Sequence, residues 1–182
     1  PVRAPRAPAG LMAVPEARRP VAQLKRSVAA RDYQEVINYS FVDSTLDARL
    51  REPGVEVVRL LNPVASQMEV MRSTQWGGLI EILRSNLNRK ATRVRLFEVG
   101  RVFHADPSVA AGPSQVPGIA QPLRLALLAF GPAIEEHWSG QPRGADFFDV
   151  RRDLEVLAGA GLRCEAYGHP AHPHPALHPG RS

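Results

Sequence analysis

The chain has 182 residues, 44% of them hydrophobic, which is enough to bury a core, and a formal net charge of +5 with an isoelectric point near 10.1. No apolar run approaches the ~18 residues of a membrane span, the Arg- and Pro-rich start lacks the apolar stretch of a secretory signal, and a single cysteine, Cys164, excludes an internal disulfide and zinc sites built on Cys pairs. The basic excess is local: residues 1–31 hold seven basic side chains against Glu16 alone, while residues 32–182 hold sixteen basic and seventeen acidic ones, so the body of the chain is not basic.

Residues 1–20 carry Pro1, Pro5, Pro8, Pro15 and Pro20 among alanines and arginines and read as a linker from a preceding domain. Residues 21–182 read as one domain, incomplete at its C-terminal end. Val21, Leu24 and Val28 recur at helical spacing and predict a helix over Val21–Val28. Glu35–Val42 alternates with period two, Ile37, Tyr39 and Phe41 on one side and Val36, Asn38 and Ser40 on the other, and predicts a strand. Asp43 or Ser44 caps a short helix through Leu46 and Leu50, which Pro53-Gly54 stops. Val55–Leu61 reads as another strand, ended by Asn62-Pro63.

The strongest helix is predicted over Trp76–Leu87, with Trp76, Leu79, Ile80, Leu83 and Leu87 on its apolar face. A basic turn, Arg89-Lys90-Ala91-Thr92-Arg93, leads into a strand over Val94–Phe103 that is apolar on both faces and therefore central in a sheet. Residues 104–122 read as a long loop and Leu123–Phe130 as a buried strand. Asp146 caps a helix with Phe147, Val150, Leu154 and Leu157 on one face, closed by Gly159 to Gly161, and Leu162–Tyr167 is a further candidate strand. The fold class expected is α+β, an antiparallel sheet with helices packed on it.

Several residues invite a chemical reading, each with a simpler alternative. His169, His172, His174 and His178 alternate with prolines, but no Cys, Asp or Glu completes a coordination shell, so a designed metal site is not expected. Cys164 lacks a neighbouring base and reads as a buried structural thiol, also in keeping with a reducing, cytoplasmic setting. Glu135-Glu136 beside His137 reads as an exposed turn. Trp76-Gly77-Gly78 lacks the Lys-Ser/Thr of a phosphate loop and reads as a helix start packed closely on a neighbour. Arg84, Arg89, Lys90, Arg93 and Arg95 form the basic cluster of the body: either a phosphate-contacting patch or cations complementing a helix C-terminus.

Taken in order, several blocks resemble the beta subunit family of bacterial phenylalanyl-tRNA synthetase, specifically its class II synthetase-like core. They are Tyr33–Val42, Leu61-Asn62-Pro63, Met71-Arg72, Asn86-Leu87-Asn88-Arg89, Leu96–Phe103, Asp146-Phe147-Phe148-Asp149 and His178–Ser182. The resemblance implies an enzyme in which two alpha and two beta subunits attach phenylalanine to its tRNA using ATP and magnesium, with neither cofactor bound in this fragment. Class II enzymes grip ATP with an arginine just after a Gly-Arg-Val-Phe-like sequence; here Gly100-Arg101-Val102-Phe103 is followed by His104, and an imidazole does not replace a guanidinium fork. The resemblance therefore implies a catalytically inactive scaffold for assembly with the alpha subunit and for tRNA positioning, with no membrane partner. Its implied interface is the first helix, through Val21, Leu24 and Val28, and Arg89, Lys90 and Arg93 are candidate tRNA contacts. Two rival readings remain: a generic RNA-binding module using the Arg84–Arg95 cluster, and a hydrolase using Cys164 or His178.

Overall fold

A computed structural model describes residues 20–135, 137, 138, 143–158 and 176. The first helix, α1 (Val21–Ala29), ends through Ala30, and Asp32 then takes a left-handed backbone with φ of 70° before β1 (Gln34–Glu35). The expected strand over Glu35–Val42 is interrupted: only its ends pair, as β1 and as β2 (Phe41–Val42). Ile37 and Tyr39 are 88% and 75% exposed, while Asn38 turns inward and its side-chain amide donates to Glu98 at 2.8 Å. The alternation holds at these three residues, with the polar side facing in because Asn38 meets a buried carboxylate.

Asp43 caps α2 (Ser44–Leu50), its carboxylate accepting from the Leu46 N–H at 2.8 Å. Val55–Leu61 forms no strand of its own; it lies against β3 (Val70–Met71) through an Arg59–Val70 bridge and the Met71 N–H to the Val58 carbonyl at 2.8 Å. β3 pairs antiparallel with β2. The long helix α3 (Trp76–Asn88) follows, with Leu79 fully buried and Trp76 and Ile80 half-exposed, so its buried face is rotated away from the one the spacing suggested. Gly77 packs on Leu46 and Leu50 of α2, and Gly78 lies against the Asn38 side chain.

β4 (Val94–Arg101) is the central strand, as expected, flanked by β1 on one side and β7 (Leu123–Phe130) on the other. Residues 104–122 are not purely loop, since β5 (His104–Ala105) and β6 (Ile119–Ala120) form a small antiparallel ladder. β4 and β7 pair antiparallel along all eight residues, from Val94 opposite Phe130 to Arg101 opposite Leu123. β1 departs from the antiparallel expectation and runs parallel to β4, Gln34 opposite Leu96 and Glu35 opposite Phe97. β7 is half-buried, with Leu127 its buried side chain, since among the described residues it has a strand neighbour, β4, on one side only.

The last described helix is α4 (Phe147–Ala158), whose first turn is capped by Asp146, the carboxylate accepting from the N–H groups of Phe148 and Asp149. Successive residues of β4 point to opposite faces, and two cores follow. Phe97 joins Val28, Tyr33, Leu127 and Leu157 under α1 and α4, and Leu96 joins Leu79 and Val94 under α3. The architecture is thus α+β in three layers, helices on both faces of a short sheet. The linker calls over residues 1–19, the Gly159–Gly161 stop, the strand at Leu162–Tyr167, Cys164 and the four C-terminal histidines lie outside the described residues.

Candidate functional site

Two buried ionic networks hold the surfaces that face outward. At the centre, Arg72 Nη1 donates to Glu98 Oε1 at 2.6 Å and Arg72 Nε donates to the Arg101 carbonyl at 2.9 Å. Glu98 also accepts from Asn38, and Gln75 Nε2 approaches the Glu98 carbonyl at 3.3 Å. A Cβ on Gly100 would overlap the Arg72 guanidinium, so glycine is what lets this arginine lie flat on β4. His104, at the position where the resemblance looks for a phosphate-gripping arginine, sits with Nε2 3.0 Å from the Ser73 carbonyl. Arg72, the nearby buried guanidinium, is committed to Glu98, and such a network is internally neutralised rather than poised for a ligand charge.

The second network ties α4 to the other face. Asp153 pairs with Arg31 through Oδ1, accepts from the Tyr33 hydroxyl at 2.8 Å through Oδ2, and lies 3.5 Å from Arg95 Nη1. Arg95 also donates to the Ala133 carbonyl at 2.8 Å and stacks on the Tyr33 ring, 5.4 Å from its centroid. Burial, then the hydrogen bond to Asp153, pushes the Tyr33 hydroxyl up to about 12.

The α1 stripe is placed mostly inward. Val28 is fully buried in the core with Tyr33 and Phe97, and Leu24 packs against the same cluster, while Val21 is 41% exposed. Val28 is therefore not exposed for contact, and the apolar side chains exposed near α1 and on neighbouring elements include Val21, Ile37, Tyr39, Trp76 and Ile80, alongside others such as Leu61, Val64 and Phe148. The period-two alternation separates Ile37 and Tyr39 from Asn38 but does not say which side faces the core; the bond from Asn38 to Glu98 decides it. A cavity of about 420 Å³ opens between α1 and β1, with Lys25, Arg26, Asp32 and Glu35 among its polar lining and Tyr33 and Phe97 at its aromatic side; Lys25 ion-pairs with Glu35 there.

The basic cluster separates into two kinds. Arg84, Arg89 and Lys90 are exposed on and just after the last turns of α3, where cations complement the helix C-terminus. Arg95 is buried in the Asp153 network, and Arg93 is paired with Asp32, lies 3.9 Å from Glu135, and donates from Nε to the Pro132 carbonyl at 3.2 Å. Five cations in sequence are three on the surface. Among the described residues no group of three His, Cys, Asp or Glu could hold a metal ion, and no helix is long and apolar enough to cross a membrane.

The chain matches the family described as the phenylalanyl-tRNA synthetase beta chain CLM domain over residues 1–182. It is 53% identical over 178 residues to the phenylalanine–tRNA ligase beta subunit of Bordetella parapertussis, covering 98% of this chain and 22% of that protein. It is 50% identical over 186 residues to the corresponding subunit of Burkholderia pseudomallei, covering 100% of this chain and 22% of that one. The chain thus spans about a fifth of the length of these relatives. Among solved structures, a pyrrolysyl-tRNA synthetase from Desulfitobacterium hafniense is similar with a TM-score of 0.45 and 14% identity, over 76% of this chain and 42% of that one.

Proposed function

Since the chain belongs to the phenylalanyl-tRNA synthetase beta-chain family, we propose that it acts as a catalytically inactive scaffold domain of a cytoplasmic ligase. That ligase uses ATP and magnesium, held outside this fragment, to attach phenylalanine to its tRNA. In this reading the domain joins the beta chain to an alpha subunit in a complex of two alpha and two beta chains, and it helps to place the tRNA.

The observation that carries the assembly role is the outward presentation of Ile37 and Tyr39. Asn38 between them is anchored to buried Glu98, so the two apolar side chains are held in water by a fixed backbone instead of collapsing onto the core. Apolar groups held exposed in this way fit a protein-protein contact. Val21, the exposed member of the α1 stripe, belongs to the same proposal. Leu24 and Val28 contribute only by holding α1 in place.

The tRNA role rests on Arg89 and Lys90, which are exposed beside Arg84 and make no side-chain ion pair among the described residues. The test is co-purification of the full beta subunit with its alpha partner. Val21→Asp and Tyr39→Asp are expected to weaken the complex at unchanged circular dichroism, and full-strength association of both variants overturns the scaffold reading. Adenylate synthesis by the beta subunit without alpha overturns the claim of inactivity.

A further inference from the structure

We propose that Arg93 is a positioning residue: it fastens three turns together and so presents the Arg89–Lys90 turn to an RNA phosphate backbone without contacting RNA itself. This rests on the tRNA reading of the basic turn and assigns Arg93 a different part in it.

Three turns converge on this guanidinium. Asp32 comes from the turn after α1, Pro132 and Glu135 from the connection after β7, and Arg93 itself closes the turn after α3. The Arg93 side chain is only 18% exposed. A phosphate reaching Arg93 meets two carboxylates at the same guanidinium, and their repulsion makes this a poor anion site. Arg89 and Lys90 are exposed, and among the described residues neither forms an ion pair with a carboxylate.

The backbone on both sides of the fastening is held in an uncommon state. Asp32 and Lys90 have φ of 70° and 68°, left-handed values that cost side-chain-bearing residues about 1–2 kcal/mol and persist where the surroundings fix them. Gly131 adds a third constraint: it has φ of 86°, and its α-carbon lies so close to the Thr92 carbonyl that a Cβ would overlap it. Lys90 therefore leaves the helix in one direction, set by the contacts at Thr92 and Arg93. Asp32, the partner of Arg93, can become Asn with little backbone cost, because Asn also adopts the left-handed state.

The experiment measures binding of the tRNA to the assembled alpha–beta enzyme over a range of salt, together with steady-state aminoacylation. Arg89→Ala and Lys90→Ala each remove a phosphate contact, so each lowers the slope of log affinity against log salt by about 0.7–0.9. Arg93→Ala and Asp32→Asn raise KM for tRNA about threefold to fivefold with that slope, kcat and KM for phenylalanine unchanged, and amide hydrogen exchange at residues 89–93 quickens in both. Arg93→Lys, which retains the pairing with Asp32, recovers part of the loss.

A slope reduced in Arg93→Ala but not in Asp32→Asn makes Arg93 a direct contact and overturns the positioning role while leaving the RNA reading intact. Unchanged KM in both Arg93→Ala and Asp32→Asn also overturns it. If Arg89→Ala and Lys90→Ala leave affinity and slope unaltered, the RNA reading of the turn fails and the presentation role fails with it.

Discussion

Arg72 and Glu98 form an ion pair with 5% and 4% of their side-chain surfaces exposed, Nη1 to Oε1 at 2.6 Å, between the end of β3 and the middle of β4. A charge removed from water this completely is tolerable only while its partner is present. Arg72→Met or Glu98→Leu alone strands the other charge and is expected to destabilise the fold by about 3–5 kcal/mol. The double variant recovers more than half of that, since two apolar groups need no counter-ion. Urea denaturation of the four members of the cycle gives the answer, and additive losses in the double variant contradict it.

Tyr33 is expected to report on the other network through alkaline stability. Its hydroxyl titrates near 10.0 in an unfolded chain and about 12 in the fold. The folded state therefore holds the proton more tightly, and this contribution is complete below pH 10, fades as the pH rises from there, and is gone above about 12. Tyr33→Phe removes the hydrogen bond to Asp153 at an expected cost of about 1–2 kcal/mol near neutrality. It also flattens the fall in stability across that alkaline window. Equal slopes for the two proteins between pH 10 and 12 would count against the assignment.

Two glycines with nearly the same backbone angle are expected to respond differently to alanine. Gly54 has φ of 81° with open space where a Cβ would go, whereas Gly131 has φ of 86° and abuts the Thr92 carbonyl. Gly54→Ala incurs only the left-handed penalty, about 1–2 kcal/mol. Gly131→Ala incurs that penalty and must also move the backbone of the basic turn, so it destabilises more. Thermal unfolding of the pair under one condition separates conformational strain from steric overlap.

The cap of α2 offers a local check. Asp43→Ala loses the bond to the Leu46 N–H and is expected to cost about 1 kcal/mol, with Asp43→Asn or Asp43→Ser retaining most of it. A loss of similar size in all three variants argues that the charge near the helix, not the cap geometry, is what matters.

Much of this fold was legible in the sequence wherever one periodicity ran long enough to be unambiguous. Trp76–Asn88 and Val94–Arg101 are such segments, and so is the central place of β4, because apolar residues on both of its faces require neighbours on both. Short segments were harder. Ile37, Asn38 and Tyr39 show a clear alternation, yet which side faces inward depends on Glu98, a residue 60 positions away that offers Asn38 a buried partner. Val28 is an interface residue by the resemblance, whereas the position of Phe97 places it in the chain's own core. The basic cluster was visible as a cluster, but its division was not. Asp32, 61 residues before Arg93, and Pro132, 39 after it, are brought there by the sheet and not by any local signal.

The Asp153 network also has a bearing on how the chain is made. Arg31 and Tyr33 meet their carboxylate 122 and 120 residues further along the chain. At ribosomal speeds of 5–20 residues per second, α1 and β1 wait roughly 6–24 s for it. Through that interval Arg95, once synthesised, has the Tyr33 ring beside it but no counter-ion, and the core face that Leu157 completes stays open to water. α4 thus closes this network and this face of the core late in a vectorial assembly. A nascent chain halted before residue 153 is expected to bind chaperones more than one halted with α4 clear of the exit tunnel.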